Sequence, residues 1–267
     1  PTINAVEGLN HAVLAGDYIL ARAAELAAGV SREAAQLVAV SLGDLCEGQV
    51  LEMRDAFDPD RSVEAHLASV RAKTAALFEC ACRLGAQTAG LTDENTHALA
   101  RFGHAFGMAF QVLDDVLDLI GDEERLGKPT GNDIASGVYT LPVLAALRGP
   151  AGTELRRVLA GAAAGTPAAA SSGNGHALGR PGQDPNDATR STADVGRAIE
   201  LVRQSGTIAE ALAAADRYAD DARRAVAHLN QTTVGEGLSL FPRIYSTWAL
   251  ENLMDPRYLE TPLTALG

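Results

Sequence analysis

Apolar residues recur at three- and four-residue intervals along most of this chain, and capping residues, glycine and proline mark where that rhythm stops. The pattern predicts an Ala- and Leu-rich amphipathic helix over 8–28, closed near Gly29. A second starts at Ser31, carries Glu33 in its first turn and runs to about 55, ahead of Asp58-Pro59. A third is capped by Ser62 and reaches about 89; a fourth is capped by Thr92, has Asp93 and Glu94 in its first turn, and ends at Ile120. Another apolar helix opens at Thr140-Leu141-Pro142, with proline tolerated in the first turn. Helical spacing returns over 195–228 with a break near Gly206, and after Gly235 it weakens enough that no element is assigned. No strand pattern stands out and no fixed repeat is evident. The expected fold is therefore all-α, a bundle of long helices with short loops. Over 149–193 glycine, alanine, proline and serine displace the larger apolar residues, which predicts a disordered surface insertion within a single domain spanning 1–267.

The stretch 110–120 breaks the usual amphipathic plan. On a helix, Gln111, Asp114, Asp115 and Asp118 fall at i, i+3, i+4 and i+7, while Val112, Leu113, Val116, Leu117, Leu119 and Ile120 cover the rest of the circumference. A mostly apolar helix with a narrow acidic stripe belongs in the interior, its carboxylates turned toward a cavity. Two carboxylates about 5 Å apart repel by roughly 3 kcal/mol at an effective dielectric near 20. Buried acids without partners favour protonation. A divalent cation removes both costs, and oxygen ligands without His or Cys suit Mg2+ or Ca2+; Mg2+ commonly takes one or two carboxylates plus substrate phosphates. The bland alternative is an acidic patch on a solvated helix face. Upstream, Gly103 and Gly107 project to nearly the same side, where small residues would leave room for a ligand. Downstream, the charged, glycine-rich loop 121–133 ends the helix and offers Lys128 as a point charge for phosphate.

The chain has 267 residues, of which 47% are apolar but only 4% aromatic, which favours helices over strands. A net charge of −12 argues against a nucleic-acid surface, so metal ions and a few Lys or Arg residues must reverse the field locally for any diphosphate ligand. No apolar run is long enough for a transmembrane segment, and no cleavable signal pattern opens the chain. Cys46, Cys80 and Cys82 lack zinc-ligand spacing and read as buried, reduced thiols of a cytoplasmic protein.

A bare DDxxD is a weak signal, but its flanks add specificity. The run Gly107-Met108-Ala109-Phe110-Gln111-Val112-Leu113-Asp114-Asp115-Val116-Leu117-Asp118, followed by Gly127-Lys128-Pro129 and Gly131-Asn132-Asp133, resembles the second aspartate-rich region of trans-isoprenyl diphosphate synthases. These polyprenyl synthetases join isopentenyl diphosphate to an allylic prenyl diphosphate by ionisation, condensation and elimination. The resemblance implies an isoprenoid-synthase bundle around a central cavity, Mg2+ as cofactor, and a homodimer whose interface apolar helices such as 8–28 could supply. It implies that Asp114 and Asp118 meet Mg2+ directly or through water with Asp115 supporting them, and that Asp114, Asp115 and Lys73 belong to the catalytic machinery. Lys73, Thr74, Gln111 and Lys128 would hold the diphosphate. Taken alone, Lys73 reads as a surface lysine lying over a core face. Gln49, in a segment similar to one lining the family's cavity, reads equally well as prenyl-facing or as a satisfied helix polar residue.

Two departures stand out. Val138 occupies the position where many family members carry a diphosphate-binding lysine. The family's first aspartate-rich motif would lie before Pro1, so the chain as written would hold half of a metal-diphosphate clamp and the domain would be N-terminally incomplete. A non-catalytic partner subunit of a heteromeric synthase is the alternative reading. Asn132-Asp133-x-x-Ser136-x-x-x-Thr140 approximates the second metal motif of terpene cyclases, but it lacks the final acid and lies too close in sequence to Asp118 to face it across a bundle.

Overall fold

The expected caps form as their chemistry requires. Ser31, Ser62 and Thr92 each accept the backbone N–H three residues on, from Ala34, Ala65 and Asn95 at 3.0, 3.0 and 3.3 Å. In a computed structural model that describes residues 2–163 and 192–258, they open the helices that organise the chain. A short α1 (Ile3–Glu7) leads into α2 (Leu9–Val30), which packs against α3 (Arg32–Arg54). The segment that begins at Ser62 is not one regular helix. It comprises α4 (Val63–Val70), a π-helical turn (Arg71–Ala75) and α5 (Ala76–Thr88). Then follow α6 (Asp93–Ile120), the short α7 (Glu123–Leu126) and α8 (Asn132–Ser136), and α9 (Leu141–Arg148). Among the described residues there is no β-strand beyond one isolated bridge, Gly121 with Met254.

Helix α6 is the axis. It lies between α5 and α12 (Thr207–Ala225), and from Phe102 to its end only His104, Phe110, Gln111 and Asp114 escape full burial. Val112, Val116 and Leu119 join Val143, Leu144 and Leu147 of α9, and Leu201 and Val202 of α11 (Thr192–Gln204), in the main core. A second cluster joins Phe102 and Phe106 to Ala222 and Val226.

Two expectations are corrected here. Part of the stretch 149–193, expected as a disordered insertion, is helical: α10 (Gly152–Ala163) places Leu155, Val158 and Leu159 in the core at helical spacing. Residues 164–191 lie outside the described residues. The unassigned tail forms α13 (Thr233–Leu253), capped by Thr232 and containing Pro242, and it packs on α6 and α12. By contrast, α2 leaves Leu9, Val13, Leu14, Tyr18, Ile19 and Leu26 exposed. Among the described residues no helix is long and apolar enough to cross a membrane.

Candidate functional site

The acidic end of α6 is held from two sides. On one, the loop after Gly121 folds back onto the helix: the Gly131 N–H donates to the Asp118 carbonyl at 2.7 Å, and the Asp133 N–H donates to Asp118 Oδ2 at 3.1 Å. Gly131 has φ +75°, and a Cβ there would lie 2.6 Å from Ile199 and 2.7 Å from Val195, so this return needs glycine. The loop carries Lys128 to within 3.6 Å of Asp114 Oδ1. It also sets Asp133 beside Asp118, on the same side of the bundle rather than across it.

On the other side stands the π-helical turn. Its wider winding lets adjacent residues reach different partners, and such turns are frequent at functional sites. Thr74 Oγ1 donates to Gln111 Oε1 at 2.8 Å, and Gln111 Nε2 donates to Asp115 Oδ1 at 3.0 Å. Lys73 Nζ donates to Glu52 Oε1 of α3 at 2.8 Å, and Gln49 Nε2 donates to the same oxygen at 3.2 Å. Gln49 is thus the satisfied helix residue of the bland reading. Thr74, Gln111 and Asp115 form one chain of hydrogen bonds; Asp114 and Lys128 form a second group beside it, and Lys73 stands apart on Glu52.

Gln111, Asp114, Asp115 and Asp118 do not all turn toward one cavity, as the sequence predicts. Asp115 and Asp118 are buried, whereas the Asp114 side chain retains 44% of its exposure and points toward Lys128. Asp115 Oδ2 instead faces the buried His66, 3.3 Å from Nε2. Gly103 and Gly107 leave no room for a ligand: a Cβ on Gly103 would lie 2.4 Å from the Phe78 carbonyl oxygen, and one on Gly107 2.7 Å from Ala75 Cα. They serve close packing of α6 on α5 and the π turn. Cys46, expected to be buried, is exposed, while Cys80 and Cys82 are partly buried; none is in a disulfide. The sequence reading gave no role to Asp133, Glu52, His66 or Tyr245. Tyr245, on α13, stacks on Phe110 with ring centroids 5.5 Å apart, and its hydroxyl is pushed up by burial and by the charge of Asp114.

Burial raises the carboxyls of Asp114 and Asp118, offset in part by Lys128, and for Asp118 by backbone N–H groups. Asp133 rises to about 8, through burial first and then through repulsion by Asp118, Asp115 and Asp114. Lys128 is the cation that acts on Asp114, Asp118 and Asp133 alike. Carboxylates short of positive charge fit a hard divalent cation such as Mg2+. Among the described residues no three His, Cys, Asp or Glu side chains form a protein-only metal cage, so water and ligand oxygens would complete the shell. A groove of about 830 Å3 lies elsewhere, lined by Glu79, Arg83, His97, Arg101 and His104, and includes none of these acids.

The raised Asp133 carboxyl has a measurable consequence. The unfolded chain releases this proton near 3.8, and the folded chain keeps it to about 8. Between those values the folded state binds more protons, so this group's contribution to stability falls as pH rises. Without divalent ions, the melting temperature is expected to drop across that window; Mg2+ restores it at the upper end and Asp133→Asn flattens the slope. Thermal scans with and without chelator check this.

The site is thus the carboxylate-bearing end of the buried axial helix of an all-α bundle, gripped by a glycine-rich return loop. The sequence profile described as "Polyprenyl synthetase" matches residues 1–169, and the chain belongs to that family. It is 42% identical over 163 residues to the nonaprenyl diphosphate synthase of Mycobacterium tuberculosis, covering 60% of this chain and 49% of that protein. It is 40% identical over 148 residues to heptaprenyl diphosphate synthase component 2 of Geobacillus stearothermophilus, covering 55% and 46%. The chain thus spans about half the length of the curated relatives it matches. Among solved structures it resembles a polyprenyl synthase from Caulobacter crescentus, complexed with calcium and isoprenyl diphosphate, with TM-score 0.77, 31% identity and coverage of 91% of this chain and 68% of that one. A heptaprenyl diphosphate synthase from Staphylococcus aureus matches with TM-score 0.76 and 26% identity over 92% and 70%.

Proposed function

We propose that the full-length protein is a Mg2+-dependent prenyltransferase that condenses isopentenyl diphosphate with an allylic prenyl diphosphate to give a longer trans-polyprenyl diphosphate. The observation that carries this reading is the group Asp114, Asp118 and Asp133, packed against an apolar core with Lys128 to balance it. Asp114 and Asp118 would hold Mg2+, with water and diphosphate oxygens completing the shell, and Asp133 would stand beside Asp118 without being a third protein ligand. When bound, Mg2+ neutralises the diphosphate and stabilises it as a leaving group. Lys128 supplies fixed positive charge at the same place, Gln111 and Thr74 orient the allylic diphosphate, and Lys73 reaches it on release from Glu52. The apolar side chains around the buried Asp115 and Asp118 keep water from that flank, which strengthens the electrostatic contacts there.

The test is incubation of the full-length protein with radiolabelled isopentenyl diphosphate, farnesyl diphosphate and Mg2+, followed by chromatography of the prenyl products. Chain elongation is expected with the full-length protein and little or none with residues 1–267 alone. Elongation only on mixing with a second subunit would favour the non-catalytic partner reading.

The exposed apolar side chains of α2 supply the surface for a homodimer. Sedimentation analysis should show a dimer, which Leu14→Glu with Ile19→Glu converts to monomer; an unchanged dimer would place the interface elsewhere.

A further inference from the structure

We infer that His66 is a positioning residue for the pair Gln111 and Thr74, acting through Asp115, and that Asp115 is consumed by this role rather than by metal. The inference rests on the prenyl-transfer reading above and narrows its metal site to the other acids.

The starting observation is a mismatch. His66 and Asp115 are each only 3% exposed, yet neither nitrogen of His66 nor Asp115 Oδ2 makes a hydrogen bond. Buried polar atoms are rarely left this way, because each has given up its water without gaining a partner. Here they face one another: His66 Nε2 stands 3.3 Å from Asp115 Oδ2. The pair also has a fixed backing. Ser69 Oγ donates to the His66 carbonyl at 2.9 Å and accepts from the buried Arg61 at 2.6 Å, and Arg61 lies 3.3 Å from Asp55.

Donor and acceptor rules then propagate from Asp115. Asp115 Oδ1 accepts, so the amide of Gln111 turns Nε2 toward it. That leaves Oε1 for Thr74, whose hydroxyl hydrogen is committed to it. The second hydrogen on Gln111 Nε2 remains for an acceptor such as a diphosphate oxygen, and the Thr74 oxygen keeps lone pairs for a donor. With Oδ1 taken by Gln111 and Oδ2 opposed by His66, Asp115 has no oxygen directed at a shared metal. Remove His66, and Asp115 can rotate, the amide loses its reason to point one way, and the diphosphate loses an oriented donor.

The experiment uses the full-length protein and steady-state prenyl transfer, reading kcat, KM for the allylic diphosphate and the Mg2+ concentration for half-maximal rate. His66→Leu should raise KM by about tenfold, as for one lost hydrogen bond, with kcat within about twofold. His66→Gln, which keeps a donor, should recover most of the loss. Asp115→Asn, nearly isosteric, should leave the Mg2+ requirement unchanged, whereas Asp114→Asn should raise it. An unchanged KM in folded His66→Leu, or a Mg2+ requirement raised by Asp115→Asn, would overturn the inference. If His66→Leu does not fold, the Asp115→Asn result alone decides. If Asp114→Asn leaves the Mg2+ requirement unaltered, the metal reading of the whole site fails instead.

Discussion

Asp114→Ala in the full-length protein should lower turnover by roughly 10²- to 10³-fold, the range seen when one preorganised electrostatic contact to a developing charge is lost, and should do so without lowering stability. The two halves of that expectation come from the same geometry. Asp114 is the acid of the α6 stripe that stays partly exposed, and its close partner is Lys128 at 3.6 Å. Asp118, by contrast, caps the return loop through the Asp133 N–H, and Asp115 holds Gln111. Truncating Asp114 therefore breaks no backbone bond. It also relieves repulsion on Asp133 and Asp115, so the melting temperature should hold or rise slightly. Rate measurements at saturating Mg2+, paired with thermal scans, separate loss of chemistry from loss of fold. Near-normal prenyl transfer in the variant would remove Asp114 from the mechanism.

Gly107→Val should destabilise the protein by about 3 kcal/mol, near the upper end of ordinary overpacking. A Cβ at Gly107 would meet Ala75 Cα at 2.7 Å and the Phe78 ring at 3.1 Å. From the opposite side, a Cβ at Gly48 would meet the Lys73 backbone nitrogen at 2.6 Å. The π turn is clamped between these two glycines and has nowhere to retreat. Any shift that relieves the clash must move Thr74, so the hydrogen bond to Gln111 should fail along with stability. Gly85→Ala, in α5 with nothing within 4 Å of its Cβ, is the matched control and should be neutral or stabilising by about 0.5–1 kcal/mol. Urea titrations of the two variants read both numbers, and equal midpoints would refute the clamp.

Much of this architecture was legible in the residues. Ser31, Ser62 and Thr92 announced their helices because a side-chain oxygen at the right offset satisfies an otherwise orphaned N–H. The burial of α6 followed from its nearly all-apolar circumference. What escaped did so for identifiable reasons. In α10, Gly161 and the alanines drew attention away from Leu155, Val158 and Leu159, whose spacing is helical. In α13, Gly235, Gly237 and Pro242 interrupt the pattern, although the helix continues through all three. Asp133 joined the acids only because Gly131, at positive φ, turns the chain back on itself. His66 was invisible because its partner lies across the packing of α4 on α6, and periodicity within one helix carries no information about the next.

The wide turn at Arg71–Ala75 sets the rotation of the helix that precedes it. A π turn holds one residue more than the α-turn it interrupts, so its presence is a matter of count. Deleting one residue would let the segment relax to ordinary winding and rotate everything before it by about 100°. The His66 imidazole, on α4 ahead of the turn, would then swing to another flank, away from Asp115. The number of residues between the serine cap and the lysine-threonine pair therefore decides which flank of the helix faces Asp115, whatever the side chains in between.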